Sequence, residues 1–201
     1  MSPRRYEMGG RKAAVEATRK RIVAAAVRLH SRRGAMRTAW DEIAAEAGVS
    51  RATVYHHFPS LDDLVPACAQ VAFDLIEVPS PAAAADRFAK VGSRRERVEV
   101  FVRESCRCYA TGAGWLRAAW RERELVPAMG IAVRRLQRAL SVLLDAAVDG
   151  ARVRPEERRV LVALVDFPFW SALDEAGVPR DRIAGRILEL VASTIDWRKV
   201  R

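Results

Sequence analysis

Apolar residues recur along this chain three and four positions apart, and no stretch alternates apolar with polar residues as a half-buried strand would. The pattern predicts helices throughout. A first one runs from about Thr18 to Arg33, with Ile22, Ala26 and Leu29 on one stripe, Val23, Val27 and His30 beside it, and Gly34 stopping it. Between Thr38 and Leu64 the signal is denser. Thr38 and Asp41 are spaced as an approximate capping box, Trp40, Ile43, Ala44 and Ala47 share a face, and Gly48 offers the left-handed residue that ends a helix. Ser50 can cap a second helix, Arg51 to His57, too short to persist alone in water and therefore braced by its neighbours. Ser60, with Asp63 three residues on, opens another through about Glu77, bent where Pro66 removes a backbone donor.

Further along, the stretch 78–86 (VPSPAAAAD) reads as a boundary or loose connection. Amphipathic helices follow near 94–110, 115–125, 127–149, 155–173 and 180–197, punctuated by Gly112 and Gly114, Pro127, Gly150 with Pro155, and Gly177 with Pro179. The expectation is an all-α protein in three parts. Residues 1–17 form a flexible basic arm, 18–65 a three-helix module, and 66–201 a larger helical body.

Composition narrows the setting. Half of the 201 residues are hydrophobic, yet no apolar run approaches the roughly eighteen residues that span a membrane. The first twenty residues lack the apolar segment of a secretory signal. Three cysteines, Cys68, Cys106 and Cys108, show no zinc spacing and fit a reducing interior, so a cytoplasmic protein is expected. The net charge of +10 points to a polyanionic partner. Residues 1–65 hold twelve Arg or Lys against seven Asp or Glu, the same surplus as the remaining 136 residues, so positive charge is about twice as dense at that end.

A short polar helix braced by an apolar one across a glycine turn is the helix-turn-helix that reads DNA. Arg51, Ala52 and Thr53 sit on the exposed first turn that enters a major groove. Arginine can grip guanine O6 and N7 through two hydrogen bonds, while Ala52 and the Thr53 methyl can touch thymine methyls. Tyr55, His56 and His57 lie near the helix end, where a phenol and imidazoles can donate to phosphates; His56 can equally meet a base edge or solvent. The spacing of Trp40 with Ile43 and Ala47 makes it core rather than a stacking platform. Arg4, Arg5, Arg11, Lys12, Arg19, Lys20 and Arg21 could follow the DNA backbone or enter the minor groove.

Residue by residue, Gly34, Thr38, Ile43-Ala44, Ala47-Gly48-Val49-Ser50, Thr53, Tyr55, His57-Phe58 and Leu64 resemble the pattern of the tetracycline-repressor (TetR) family of bacterial transcription regulators. The resemblance covers about the first 65 residues. It implies a double-stranded DNA operator, phosphate contacts from Thr38, Tyr55 and His57, a homodimer through the helices near 155–173 and 180–197, and a small-molecule effector. Two departures stand out. The family often has a phosphate-gripping lysine where this chain has Leu61, followed by Asp62 and Asp63, and a second hydroxyl residue where it has Ala39. Both shift the burden of affinity to the basic arm and to Arg37.

Large apolar and soft side chains gather in the body: Phe73, Phe101, Cys108, Tyr109, Trp115, Trp120, Met129, Phe169 and Trp170. Periodicity alone makes most of them core; the resemblance implies an effector cavity among them, with Phe73, Phe101, Cys108, Trp115, Trp120, Met129, Phe169 and Trp170 as its candidates. Pro168, inside the run 167–170 (FPFW), breaks the helical ladder and marks a pocket wall. The expected function is a sequence-specific regulator, most simply a repressor released from a palindromic operator by a largely apolar ligand. The alternatives are a nonspecific architectural DNA binder and a redox or metal sensor built on Cys106 and Cys108, which point about 200° apart on a helix. No catalytic residue, cofactor or metal ligand set is expected: no nucleophile stands beside an acid–base partner and no phosphate loop is present.

Overall fold

The computed structural model describes residues 4–75, 80–148 and 153–194, and among them ten helices follow one another with no strand. The first, α1 (Arg4–Arg33), starts well before Thr18, so residues 4–17, expected as an arm, are helical. Residues 11–17 consist of good helix formers with no breaker before the packed half, although 10–17 are exposed and bury nothing.

The helices α2 (Trp40–Ala47), α3 (Arg51–His57) and α4 (Leu61–Leu75) complete the small module. Its core is Ile22, Ala26, Leu29, Ile43, Val54, Phe58, Leu64 and Cys68, all at most 6% exposed. Each fully buried Ile, Leu or Phe here contributes roughly 1.5–3 kcal/mol. Ser50 and Ser60 cap α3 and α4 as expected, accepting from Thr53 N at 3.1 Å and Asp63 N at 3.3 Å. Thr38 does not cap α2. Ala39 holds the cap position, and Glu42, not Asp41, reaches back to accept from its amide at 2.9 Å. The Thr38 hydroxyl instead donates to Gly34 O at 2.7 Å, because the turn buries it against the end of α1.

The body comprises α5 (Pro81–Ala89), α6 (Arg94–Glu122), α7 (Pro127–Ala147), α8 (Pro155–Val165), α9 (Phe167–Glu175) and α10 (Arg180–Thr194). Three sequence expectations shift. The connection near 78–86 contains α5, capped by Ser80 with Pro81 in its first turn; residues 76–79 lie outside the described set. The two helices expected at 94–110 and 115–125 are one, because Gly114 serves packing rather than termination and Gly112 lies buried inside the same helix. A Cβ on Gly114 would meet Ser31 O of α1 at 2.8 Å, so the glycine lets the two backbones approach. The single helix expected at 155–173 is broken at Asp166, which ends α8 and caps α9, with Pro168 in the first turn of α9 where it costs no hydrogen bond.

The helix α4 belongs to both cores. Leu64 and Cys68 face the small module, whereas Val65, Ala69, Ala72 and Phe73 face the body. The expected boundary at 65/66 therefore falls inside a continuous helix. Leu61, the residue at the lysine position of the family pattern, packs half-buried on the body.

Replacing Gly114 with Ala is expected to lower unfolding free energy by about 1–3 kcal/mol through overpacking against α1. Gly185→Ala, where a Cβ meets nothing within 4 Å in α10, is expected to be neutral or stabilising by about 0.5–1 kcal/mol. Urea denaturation of both variants checks this, and equal changes would contradict it.

Candidate nucleic-acid interface

The turn that aims α3 depends on one backbone conformation. Gly48 closes α2 at φ 65°, where only glycine rests without strain, and Val49 N bonds back to Ala44 O at 3.0 Å. Ser50 then starts α3 with its hydroxyl also bonded to that of Thr53 at 2.8 Å. Of the expected readers, Arg51 and Ala52 are exposed and Thr53 is half-exposed with its hydroxyl engaged by Ser50.

Aromatic packing organises the same face. Tyr55 lies on Trp40 with ring centroids 5.0 Å apart, so the half-buried Trp40 is core on one side and a support for Tyr55 on the other. The Arg51 guanidinium sits 5.4 Å over the Tyr55 ring, 3.4 Å from its hydroxyl and 3.2 Å from Asp41. This exposed pair with Asp41 is worth little in water, so Arg51 exchanges it readily for another acceptor. His56 is exposed and His57 half-buried, their rings 5.6 Å apart. Arg37 is exposed with no ion pair among the described residues. Thr38 is 9% exposed and its hydroxyl donates to Gly34 O, whereas the other seven expected residues are exposed or half-buried. Arg11, Lys12, Lys20 and Arg21 are exposed on α1, whereas Arg19 is held over the Phe58 ring at 4.9 Å.

A joint between module and body was not foreseen. Glu122, in the last turn of α6 and 3% exposed, accepts hydrogen bonds from Ala35 N at 2.8 Å and Met36 N at 3.2 Å. Arg121 donates to Arg33 O at 3.0 Å. Gly34 makes room for both: its φ is 95°, and a Cβ would fall 1.9 Å from Glu122 Oε1. Beneath the joint lies His30, fully buried, with neither ring nitrogen hydrogen-bonded. Burial holds it neutral, lowering its pKa to about 4 although nearby Glu122 opposes the shift. The sequence signal was a lone carboxylate in the apolar Ala118-Ala119-Glu122 register of α6.

In the body, Phe73, Phe101, Trp115, Met129 and Trp170 are buried, whereas Cys108, Trp120 and Phe169 are half-buried. Tyr109, Trp120, Phe167 and Trp170 interlock, and the Tyr109 hydroxyl donates to Val165 O at 3.0 Å. An open cleft of about 520 Å³ lies beside them, between Trp120, Arg123 and Glu124 at the end of α6, Gly130, Arg134 and Gln137 of α7, and Pro168. Only Trp120 of the eight candidates lines it. Burial pushes the Cys106 and Cys108 thiols up to about 12, which disfavours the reactive thiolate. Among the described residues no cluster of His, Cys, Asp or Glu is placed to hold a metal, and no helix is long and apolar enough to cross a membrane.

Residues 22–68 match the family model described as bacterial regulatory proteins, tetR family. A solved tetR-family transcriptional regulator from Streptomyces coelicolor is 24% identical, covering 89% of this chain and 80% of its own, with a TM-score of 0.67. LfrR from Mycobacterium smegmatis, a TetR-like transcriptional regulator in complex with proflavine, is 28% identical over 90% of this chain and 98% of its own, with a TM-score of 0.57. The multidrug binding protein EbrR, complexed with imidazole, is 23% identical over 88% and 94%, with a TM-score of 0.64. No curated protein sequence matches the chain.

Because the folded pKa of His30 lies below that of a free imidazole, its contribution to stability is complete above pH 6.5 and is lost as pH falls toward about 4. The loss is expected to reach about 3 kcal/mol in the wild type and to be absent in His30→Leu. Denaturation curves across that window check it, and parallel pH dependences would contradict it.

Proposed function

We propose that this chain, whose residues 22–68 carry the tetR-family domain, is a sequence-specific DNA-binding regulator that represses from a palindromic operator and is released by a small, largely apolar ligand. The observation that carries the reading is the exposed first turn of α3, where Arg51 stands on Tyr55, bonded to its hydroxyl and paired with the surface carboxylate of Asp41. Arg51, Ala52 and Thr53 read base edges, and His56 reaches an edge or phosphate beside them. Arg37, Tyr55 and His57 hold phosphates, and the exposed Arg11, Lys12, Lys20 and Arg21 of α1 add charge along the backbone. Regular spacing of exposed readers on a braced helix favours sequence reading over architectural binding.

A second copy completes the operator geometry, since two recognition helices about 34–36 Å apart read successive major grooves. Most of the apolar face of the last helices is spent inside one chain: Leu161, Val165, Phe167, Ile183, Ile187 and Val191 are at most 1% exposed. Val160 and Leu190, 43% and 42% exposed, remain outside with half-buried Leu164, and these form the face offered to a partner copy. Ile195 lies outside the described residues. Proflavine in LfrR and imidazole in EbrR support a small-molecule effector.

Fluorescence anisotropy with a duplex selected by the protein tests the readout. Arg51→Ala is expected to cost about 1–3 kcal/mol on the selected duplex and almost nothing on a scrambled one. An equal loss on both would overturn base reading by Arg51. Leu190→Asp is expected to shift the protein from dimer to monomer in light scattering while leaving its helical circular dichroism intact. A wild type that is monomeric at micromolar concentration would overturn the dimer.

A further inference from the structure

We propose that the cleft between the end of α6, α7 and Pro168 is the effector site, that it takes a planar aromatic carboxylate, and that Glu122 carries its occupancy to the DNA-binding module. The inference deepens the regulator reading and rests on it for the second half of its test. Its starting point is the chemistry of the walls. Trp120 is half-buried with Phe167 behind it at 5.0 Å between ring centroids, so the indole is held in place while part of it faces the cleft. Pro168 supplies a second flat apolar surface, and Gly130 lets α7 close against the chain after α6, because a Cβ there would collide with Arg123 O at 2.7 Å. A volume of about 520 Å³ accommodates a two-ring molecule.

Charge then selects among such molecules. Arg123 is engaged, donating to Trp120 O at 2.6 Å and pairing with Glu124 at 3.2 Å. The amide nitrogen of Gln137 is likewise engaged with Asp166 at 2.9 Å. Arg134 has no ion pair or hydrogen bond among the described residues, and it stays beside Gly130. The cleft therefore holds one uncompensated guanidinium, whose planar fork matches a carboxylate through two parallel hydrogen bonds. A cation meets Arg134 unfavourably. A dianion such as a phosphate monoester meets Glu124 at the rim with a second negative charge, so a monoanion on an apolar ring system fits best.

Position gives the site its consequence. Trp120 and Arg123 face the cleft, and between them in the chain Arg121 and Glu122 grip the turn from Arg33 to Met36. A ligand that moves the indole or Arg123 moves the same helical turn that holds the entry to α2. Glu122 is thus a positioning residue, acting on DNA binding through Ala35 and Met36.

The test uses the full chain, with 2-naphthoate as probe and 2-naphthalenemethanol as its neutral counterpart, read by calorimetry and tryptophan fluorescence. Naphthoate is expected to bind with a Kd below about 1 mM, and at least about tenfold more weakly to Arg134→Gln, an exposed position whose change leaves the fold intact. The alcohol is expected to be weakened similarly against wild type. Equal binding of acid and alcohol, equal binding to Arg134→Gln, or no binding of naphthoate would overturn the site. In the second half, naphthoate is expected to lower wild-type affinity for the selected duplex at least about fivefold, and to lose that effect in Glu122→Gln while still binding there. Naphthoate binding without any change in DNA affinity would overturn the transmission. Failure of the protein to bind any selected duplex would overturn the regulator reading instead, leaving the site to the first half.

Discussion

The carboxylate of Glu122 is the buried polar contact that ties the turn after α1 to the larger helical body. It is almost wholly buried, and it accepts from two backbone amides of the turn that follows α1. A buried carboxylate is tolerable only when such donors surround it, and removing them would leave an unpaired charge in the interior. Gly34 is constrained by the same contact, as both its left-handed backbone and the space over its Cα are needed. His30 fits the picture as the neutral member of the joint. The turn that launches α2 is therefore held by a residue of the larger helical body together with the module's own Thr38 and Glu42.

A second link runs through α4, whose opposite faces fill the two cores. Leu64 and Cys68 are part of the small core, one turn of helix away from Ala69 and Phe73 in the large one. Leu61 extends this link, packing half-buried on the body. On the exposed side, the Trp40–Tyr55–Arg51 stack orders the first turn of α3, which on the proposed reading leaves less side-chain entropy to be lost when DNA binds. Preorganisation of this kind favours discrimination between sequences over bulk attraction to phosphate.

Local signals were legible and long-range ones were not. The Thr38–Leu64 segment announced its helices, its glycine turn and the Ser50 and Ser60 caps, because these depend on neighbours a few residues away. Thr38 misled because its hydroxyl has two nearby uses, and burial of the turn chose Gly34 O over the helix start. Gly112 and Gly114 read as punctuation since a glycine demanded by a neighbouring helix looks the same as one that ends its own. Asp166 hid a helix break within an apolar run, visible only once its double capping role was placed. Glu122 pairs with a residue 87 positions away, and only its oddness within an apolar stripe hinted at a partner. Most of the proposed dimer stripe turned inward for the same reason, as periodicity marks a face without saying what covers it.

The most direct test of the account is selection of binding sites from a random duplex pool, followed by hydroxyl-radical footprinting of the enriched sequence at about 0.15 M salt, where nonspecific attraction is weak. The account predicts a palindromic consensus with two protected half-sites centred about 34–36 Å apart, one for each α3 of a dimer. Enrichment of no sequence, with uniform protection along the duplex, would contradict it.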